Sequence, residues 1–437
     1  MPKKYHNENV YEASMKKIKY LFDEFDNVLI AFSGGKDSGI CLNLCYEYAK
    51  EHNCLNKLSM YHLDYEAQYQ YTTDYVEDCF LNEFEGIRKY WLCLPIAAQC
   101  AASMYQDHWT PWDKDKKNIW IREMPQNEFV INEDNVPFEF VKDTLDYDLQ
   151  DKFAKWFSST YGKTAVVIGI RSQESLNRYR AVNKNNAAKK YKNINWINSY
   201  KDNKTYKAYP IYDWQTSDVW VANAKFGFKY NKIYDLYYKA GLSIEQMRVA
   251  SPFNDCAINS LKLYRAIEPN TWGKLIGRVN GANFASIYGG TSAMAWKNIK
   301  LPKGHTWKSY MEFLLSTLPE ETRNSYLKKL ETSKKFWSEK GGVLDDETIM
   351  ELSKTDLKYK VKGKISNYSS KNVVAFDEYP DDADVTNFKS VPSYKRMCIC
   401  ILKNDHLCKY MGFAPTKEEA KKRKLAMEKY KDIIRGK

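Results

Sequence analysis

Residues 33–38 read SGGKDS, a composition suited to holding an anion. Gly34 and Gly35 let backbone N–H groups approach oxygens that a side chain would keep away. Lys36 adds a mobile point charge, and a helix N-terminus behind Ser38 favours negative charge. The apolar run Val28 to Phe32 comes just before, and GICLNLCYEYAK just after, so the turn joins a buried strand to a helix. That context favours a phosphate or sulfate cradle over a merely structural turn. The pattern GxxxxGK[ST] is absent. The turn alone leaves three occupants open: the phosphates of ATP, the sulfate of an activated sulfonucleotide, or nothing.

Such a turn needs elements on both sides to position it, and the chain supplies a repeating series of them. Tyr11, Met15, Ile18, Leu21, Phe22 and Phe25 fall at helical spacing, which predicts an amphipathic helix over about Val10 to Phe25. After the helix that ends near His52, KLSMYHLDY reads as a strand, YTTDYVEDCF opens a helix and RKYWLCLP reads as another strand. The polar, Trp-rich stretch from Gln106 to Phe140 holds Trp109, Pro111, Trp112 and Trp120, which suit either a lid or structural packing. LQDKFAKWFSSTYG then predicts a helix, and TAVVIGI (Thr164 to Ile170) a buried strand. This alternation predicts parallel βαβ units whose ligand site lies beyond the carboxyl ends of the strands.

Residues 183–207, rich in Asn and Lys, predict an exposed insertion with one short strand. From YPIYDWQTSDVW onward the pattern turns helical. Ser217 is placed to cap one helix, and Ser243 with Gln246 makes a capping-box pair for another. Pro269 to Lys340 is mainly helical in pattern, 366–392 is polar and acidic, and Thr416 with Glu419 opens a very basic helix. The expected class is α/β, a parallel twisted sheet with flanking helices followed by a mainly helical C-terminal region. The expected organisation is a nucleotide-binding domain over 1–225, a helical domain over 226–365, a linker or loop over 366–392 and a basic segment over 393–437.

At 437 residues, 44% hydrophobic and 15% aromatic, the chain can build more than one core. No apolar stretch approaches a membrane span or a secretory signal, so a cytoplasmic protein without membrane contact is expected. Ten cysteines show no disulfide-framework spacing, so most are expected reduced and buried. There is no CxxC, which disfavours an iron–sulfur cluster, and the histidines show no zinc-ligand spacing. The net charge of +12, from 67 Lys and Arg against 55 Asp and Glu, points to anionic partners. Lys417, Lys421, Lys422, Arg423 and Lys424 of the basic helix, with Lys184, Lys189, Lys190 and Lys192 of the insertion, offer either a nucleic-acid surface or solvated charge.

The strand–SGGKDS–helix arrangement resembles the PP-loop of ATP pyrophosphatases, the fold shared with PAPS reductase-like proteins. Three further segments strengthen the resemblance in the order the family requires. HLDYEAQY (His62 to Tyr69) is similar to a His-Ile-Asp element that touches adenine and positions metal or substrate. GIRSQESLNR (Gly169 to Arg178) resembles the family's Gly-Ile/Leu-Arg segment, and YPIYDWQTSDVW its Asp-Trp element. Farther on, RVASPFNDCAINSLKLYRAIEPNTWGKLIGRVNGANFASIYGG resembles a narrower group with a C-terminal domain of unknown function. That group includes immunoglobulin-binding regulator A, and its members often sit beside a ParB-like partner.

The resemblance implies an adenine nucleotide held by Phe32, Ser33, Gly34, Gly35, Lys36, Asp37, Ser38, His62, Leu63, Asp64, Gly169 and Arg171. Reductases of the superfamily usually alter the Lys-Asp pair of the loop and carry a C-terminal Glu-Cys-Gly-Leu/Ile-His segment. Here Lys36 and Asp37 are intact and that segment is missing, which points to ATP, with Asp37 and Asp64 helping to hold Mg²⁺. Lys36, Asp37, Arg171 and Arg178 are the expected catalytic set, since guanidinium forks suit tetrahedral oxyanions. Glu66, Glu174 and Ser175, and from the narrower match Arg248 and Asp255, are expected near substrate. The implied chemistry is cleavage of ATP between its α- and β-phosphates. Sulfonucleotide chemistry, and a nucleotide-sensing or nucleic-acid-binding module working with the ParB-like partner, are the alternatives.

Overall fold

The computed structural model describes residues 7–175, 178–179, 182, 190–200, 202–289, 291, 294, 299–364, 371–387 and 390–413. The basic helix expected beyond Thr416, and Lys184, Lys189 and Lys201 of the insertion, lie outside them. The chain divides into two compact units, Met1–Gln99 with His108–Arg278, and Cys100–Asp107 with Val279–Lys437.

In the first unit the apolar runs become strands of one seven-stranded sheet. They are β1 (Asn27–Ala31), β2 (Leu58–Leu63), β3 (Arg88–Leu92), β4 (Val130–Ile131), β5 (Thr164–Val167), β6 (Ile197–Ser199) and β7 (Thr205–Ala208), in the order β4-β3-β2-β1-β5-β7-β6. All neighbours are parallel except β6 and β7, which pair antiparallel. Val28 lies between Leu58 and Ala165, and Ile30 between Met60 and Val167, so one face of the sheet's centre is apolar, while on the other Leu29 lies between Ser59 and Val166, all buried. Helices α1 (Val10–Glu24), α2 (Lys36–Glu51), α3 (Gln70–Leu81), α4 (Asp146–Tyr161), α5 (Thr216–Phe226), α6 (Ile233–Lys239) and α7 (Pro269–Arg278) complete the unit. Ile18, Leu21 and Phe22 of α1 and Ile40, Leu44 and Cys45 of α2 share one core with β1, β2 and β5. The α/β class and mostly parallel sheet expected from the sequence are what the chain builds.

Several local expectations differ. The segment read as an exposed insertion supplies both β6 and β7. Thr205 is fully buried there because its hydroxyl bonds Ser158 Oγ at 2.7 Å and Asp202 Oδ2 at 2.7 Å. Polarity that is internally satisfied costs little to bury, so composition misreads it. Ser217 does not cap its helix. Gln215 occupies the N-cap of α5, with Asp218 accepting its backbone N–H at 2.7 Å. Ser243 and Gln246 form half of a capping box, Ser243 N–H to Gln246 Oε1 at 3.0 Å, on a turn rather than a helix.

The second unit packs α8 (Trp307–Ser316), α9 (Glu320–Lys335) and α10 (Tyr394–Leu402) around Met311, Leu315, Tyr326, Leu330, Met397 and Cys400. Pro319 at the N-cap of α9 ends the amphipathic run that begins at Trp307. An antiparallel sheet of β8 (Gly342–Asp345), β9 (Tyr359–Lys364) and β10 (Lys371–Phe376) has β10 in the middle. The expected loop over 366–392 is therefore corrected: VVAF within it buries Val374 and Phe376, and the acidic run that follows masked a short strand. Among the described residues no helix is long and apolar enough to cross a membrane.

Candidate functional site

Three segments leave the carboxyl ends of the adjacent strands β2, β1 and β5, and the expected site residues other than Arg248 and Asp255 lie on them. Behind β1 the chain turns at Gly34, whose φ of +71° suits glycine, and a Cβ there would sit 2.9 Å from Val76 Cγ2. Gly35 is the N-cap of α2, which places Lys36, Asp37 and Ser38 in its first turn. Ser38 Oγ receives the Ser33 N–H at 3.1 Å and donates to the Gly35 carbonyl at 3.1 Å. The two serines thus bind the loop to itself, and Ser33 is its exposed member.

Charge gathers where α2 begins. The Lys36 and Arg171 side chains are only 4% and 3% exposed, and both bind Asp37: Lys36 Nζ at 2.9 Å and Arg171 Nε at 2.6 Å. Arg171 also reaches Thr216 Oγ1 at 3.1 Å and Glu174 Oε1 at 3.2 Å, and Arg178 closes on the other oxygen of Glu174. Burial pushes the Lys36 amine below its ordinary value, Asp37 opposes this, and Arg171 and Arg248 add to it. Arg178 is lowered likewise, by burial first and then by Arg248. Two carboxylates thus hold together three crowded cations, and the charge of Arg248 bears on Lys36 and Arg178 among them. Ser175 Oγ accepts the Arg178 N–H at 3.2 Å, which fixes the turn that carries Arg178. Gly169 lets this segment approach α2, since a Cβ there would lie 2.8 Å from both Asp37 C and Ser38 N.

The turn after β2 is built differently. His62, Asp64 and Glu66 are buried, and Leu63 lies behind them. His62 Nδ1 meets the Phe32 carbonyl at 2.9 Å, burial lowers the imidazole, and its ring lies edge-on to Trp91. The Phe32 ring packs on Tyr75 as core. Burial alone would raise the Asp64 carboxyl, but Arg122, His62 and the Trp91 N–H outweigh it and hold the group low. Glu66 has φ +64° and takes four bonds: Ile121 N–H at 3.0 Å, Trp112 N–H at 2.8 Å, and Arg278 at 2.9 and 3.2 Å. Its carboxylate ties the Trp-rich stretch and α7 to the sheet. Trp109 and Trp112 are buried in that packing.

The carboxylates expected to hold Mg²⁺ do not fit that task as arranged. Asp64 is fully buried and bound to Arg122 and Trp91, and both oxygens of Asp37 face cations. Among the described residues no group of three or more His, Cys, Asp or Glu is placed to hold a metal ion.

Residues that the sequence pattern did not mark complete the site. Tyr234 of α6 accepts the Lys36 N–H at 3.0 Å, and Lys36 Nζ lies 5.7 Å from its ring centre. Asn231 Nδ2 donates to the Gly34 carbonyl at 3.0 Å and to Thr72 Oγ1 at 2.9 Å. Val249 packs 3.8 Å from where a Gly35 side chain would begin, which brings Arg248 beside the loop. Asp255 and Cys256 follow on the same segment. Cys256 is exposed, but the protein crowded around its thiol raises it, as does Asp255, while Arg248 and Arg178 pull the other way.

Residues 27–241 match the family described as the phosphoadenosine phosphosulfate reductase domain, and residues 241–422 match a domain of unknown function, DUF3440. The chain is 30% identical to "Uncharacterized protein YbdN" of Escherichia coli (strain K12), over 98% of this chain and 95% of that protein. Among solved structures, a phosphoadenylyl-sulfate (PAPS) reductase from Candida auris aligns at TM-score 0.28 and 14% identity, covering 54% of this chain and 94% of that one. The U34-tRNA thiolase NcsA from Methanococcus maripaludis aligns at TM-score 0.30 and 14% identity, covering 68% and 87%.

Proposed function

Because the chain belongs to the family that joins a phosphoadenosine phosphosulfate reductase domain to DUF3440, we propose that its first unit binds ATP at the Ser33–Ser38 loop and cleaves it between the α- and β-phosphates. An oxygen of an anionic acceptor bonds to the α-phosphorus, the bond from that phosphorus to the β-bridging oxygen breaks, and its electron pair leaves on pyrophosphate. The loop amides and Lys36 hold the β- and γ-phosphates, where a helix N-terminus and a buried ammonium favour them. Arg171 and Arg178 face the α-phosphate and the acceptor, and in a water-poor site their charge offsets what builds up on the oxygens. His62, Leu63 and Gly169 border the nucleoside in this reading.

One observation carries the proposal: an intact Lys36–Asp37 pair in which the carboxylate holds a buried lysine and a buried arginine at the start of α2. Incubating the purified protein with magnesium and α-labelled ATP and resolving the products tests it. Pyrophosphate and labelled AMP, the latter formed where water takes the place of the acceptor, are expected, and both should be lost in Asp37→Ala. Turnover untouched by Asp37→Ala or Lys36→Ala would overturn the reading.

The description of the matched domain favours a second reading, in which the same cradle takes APS or PAPS. Competition separates the two: a sulfonucleotide displacing bound ATP analogue at lower concentration than ATP itself would favour it.

A further inference from the structure

We propose that Tyr234 is a ligand-contacting residue: its hydroxyl accepts the Lys36 N–H and passes that hydrogen bond on, donating its own proton to a phosphate oxygen of the nucleotide. This rests on the reading that the loop binds ATP and adds to it a donor from outside the loop.

The hydroxyl is brought in by α6. Tyr234 stands 198 positions beyond Lys36, in the first turn of that helix, and its oxygen lies 3.0 Å from the Lys36 nitrogen, the first amide of α2. Asn231 fixes the approach. Its Nδ2 donates to the Gly34 carbonyl at 3.0 Å, and its Oδ1 accepts the Ile233 N–H at 3.0 Å where α6 begins. The Tyr234 ring is buried, with Trp220 edge-on to it at 5.2 Å between ring centres. Packing on one side and the Asn231 tie on the other hold the phenol at the loop.

A phenol oxygen can accept one hydrogen bond and give another. Among the described residues the Tyr234 oxygen accepts from Lys36, and no group takes its proton. Gly35 shows where that proton can go. The φ of Gly35 is −92°, which any residue adopts, so its backbone does not require glycine. A Cβ there would lie 3.2 Å from Ser33 Oγ and 3.4 Å from the Tyr234 oxygen. Glycine therefore keeps clear a gap flanked by two hydroxyls at a helix N-terminus, which suits an anionic oxygen. The Lys36 amide behind the phenol polarises it toward giving its proton. Burial, and Asp37 after it, raise the phenol, so the proton is there to be given.

Titration calorimetry of the full chain with ATP and with tripolyphosphate tests this, comparing the parent with Tyr234→Phe, which keeps the ring and removes the hydroxyl. Loss of one charge-assisted hydrogen bond should weaken both ligands about tenfold in a protein that melts like the parent. A phenol that donates to an anion absorbs at longer wavelength. Tripolyphosphate should therefore red-shift the tyrosine absorption of the parent, a signature that needs no variant, and the shift should vanish in Tyr234→Phe.

Tighter binding by Tyr234→Phe would mean that the hydroxyl competes with the ligand for the Lys36 amide, and would overturn the proposal. Unchanged binding, or a parent that binds without the red shift, overturns it as well and leaves the ATP reading standing. Tripolyphosphate binding that depends on Tyr234 in a protein that binds no ATP would uphold the donor and sink the ATP reading alone. A parent that binds neither ligand sinks both.

Discussion

Glu66 shows how much structure one side chain can hold. Its carboxylate is fully buried and receives two backbone N–H groups and both arms of the Arg278 fork. Replacing it with Gln turns part of that acceptor surface into a donor and leaves a buried guanidinium without its counter-charge. Breaking a buried pair in this way costs about 3–5 kcal/mol. Glu66→Gln should therefore lower the midpoint of urea denaturation sharply without touching a loop residue, whereas a stability close to the parent's would assign Glu66 a ligand-facing role. Residue types made the Ser33–Ser38 loop legible, since glycines, a lysine and hydroxyls between a strand and a helix have few other uses. The same reasoning did not reveal the ion pair of Glu66, because its partner lies 212 positions away and no local pattern announces it. Tyr234 and Asn231 escaped for the same reason, as they meet the loop across separations of 198 and 197.

Between elements, the decisive contacts are close approaches of backbone. The segment after β5 passes α2 at Gly169, where an added methyl would meet Asp37 C and Ser38 N at 2.8 Å. Backbone cannot swing aside as a side chain does. Gly169→Ala should therefore displace the first turn of α2 and weaken ATP binding, measured by titration calorimetry, more than it lowers the melting temperature. An unchanged affinity would show that the first turn of α2 takes no part in binding.

The end of α1 is tied by charge instead. Glu24 binds Lys163 at 2.6 Å just before β5, Lys192 at 2.9 Å, and Tyr191. Lys163 foremost, then Tyr191 and Lys192, lower its carboxyl from 4.5 to about 2. A carboxyl lowered on folding stabilises the fold above its unfolded value and loses that contribution as acid protonates it. The parent should thus lose more stability than Glu24→Gln as the pH falls from 4.5 to about 2, and parallel curves in acid denaturation would argue against the tie. Elements built on continuous apolar runs were legible, as β1, β2 and β5 illustrate. Those whose burial is arranged by hydrogen bonds, as at Thr205 in β7, or that are four apolar residues long beside an acidic run, as in β10, were not.

At the scale of the molecule, the family boundary and the physical boundary differ. The reductase-domain match ends at residue 241, where the DUF3440 match begins, yet the first compact unit runs on to Arg278. Residues 241–278 complete it from within. Arg278 neutralises Glu66, and Glu268 accepts the Gln70 N–H at 2.8 and 3.0 Å at the start of α3. Tyr264 stacks on Tyr69 with ring centres 3.6 Å apart, and Phe253 meets Trp109 edge-on at 5.0 Å. A chain ending after residue 240 would expose those aromatic faces to water and leave a buried carboxylate unpaired, costs that together rival the whole stability of an ordinary domain. It should lack a cooperative thermal transition and bind a hydrophobic dye. A chain ending after residue 278 keeps every contact named and should melt cooperatively. If the two melt alike, the segment is an appendage rather than part of the unit, and the placement of Arg248 at the loop loses its structural basis.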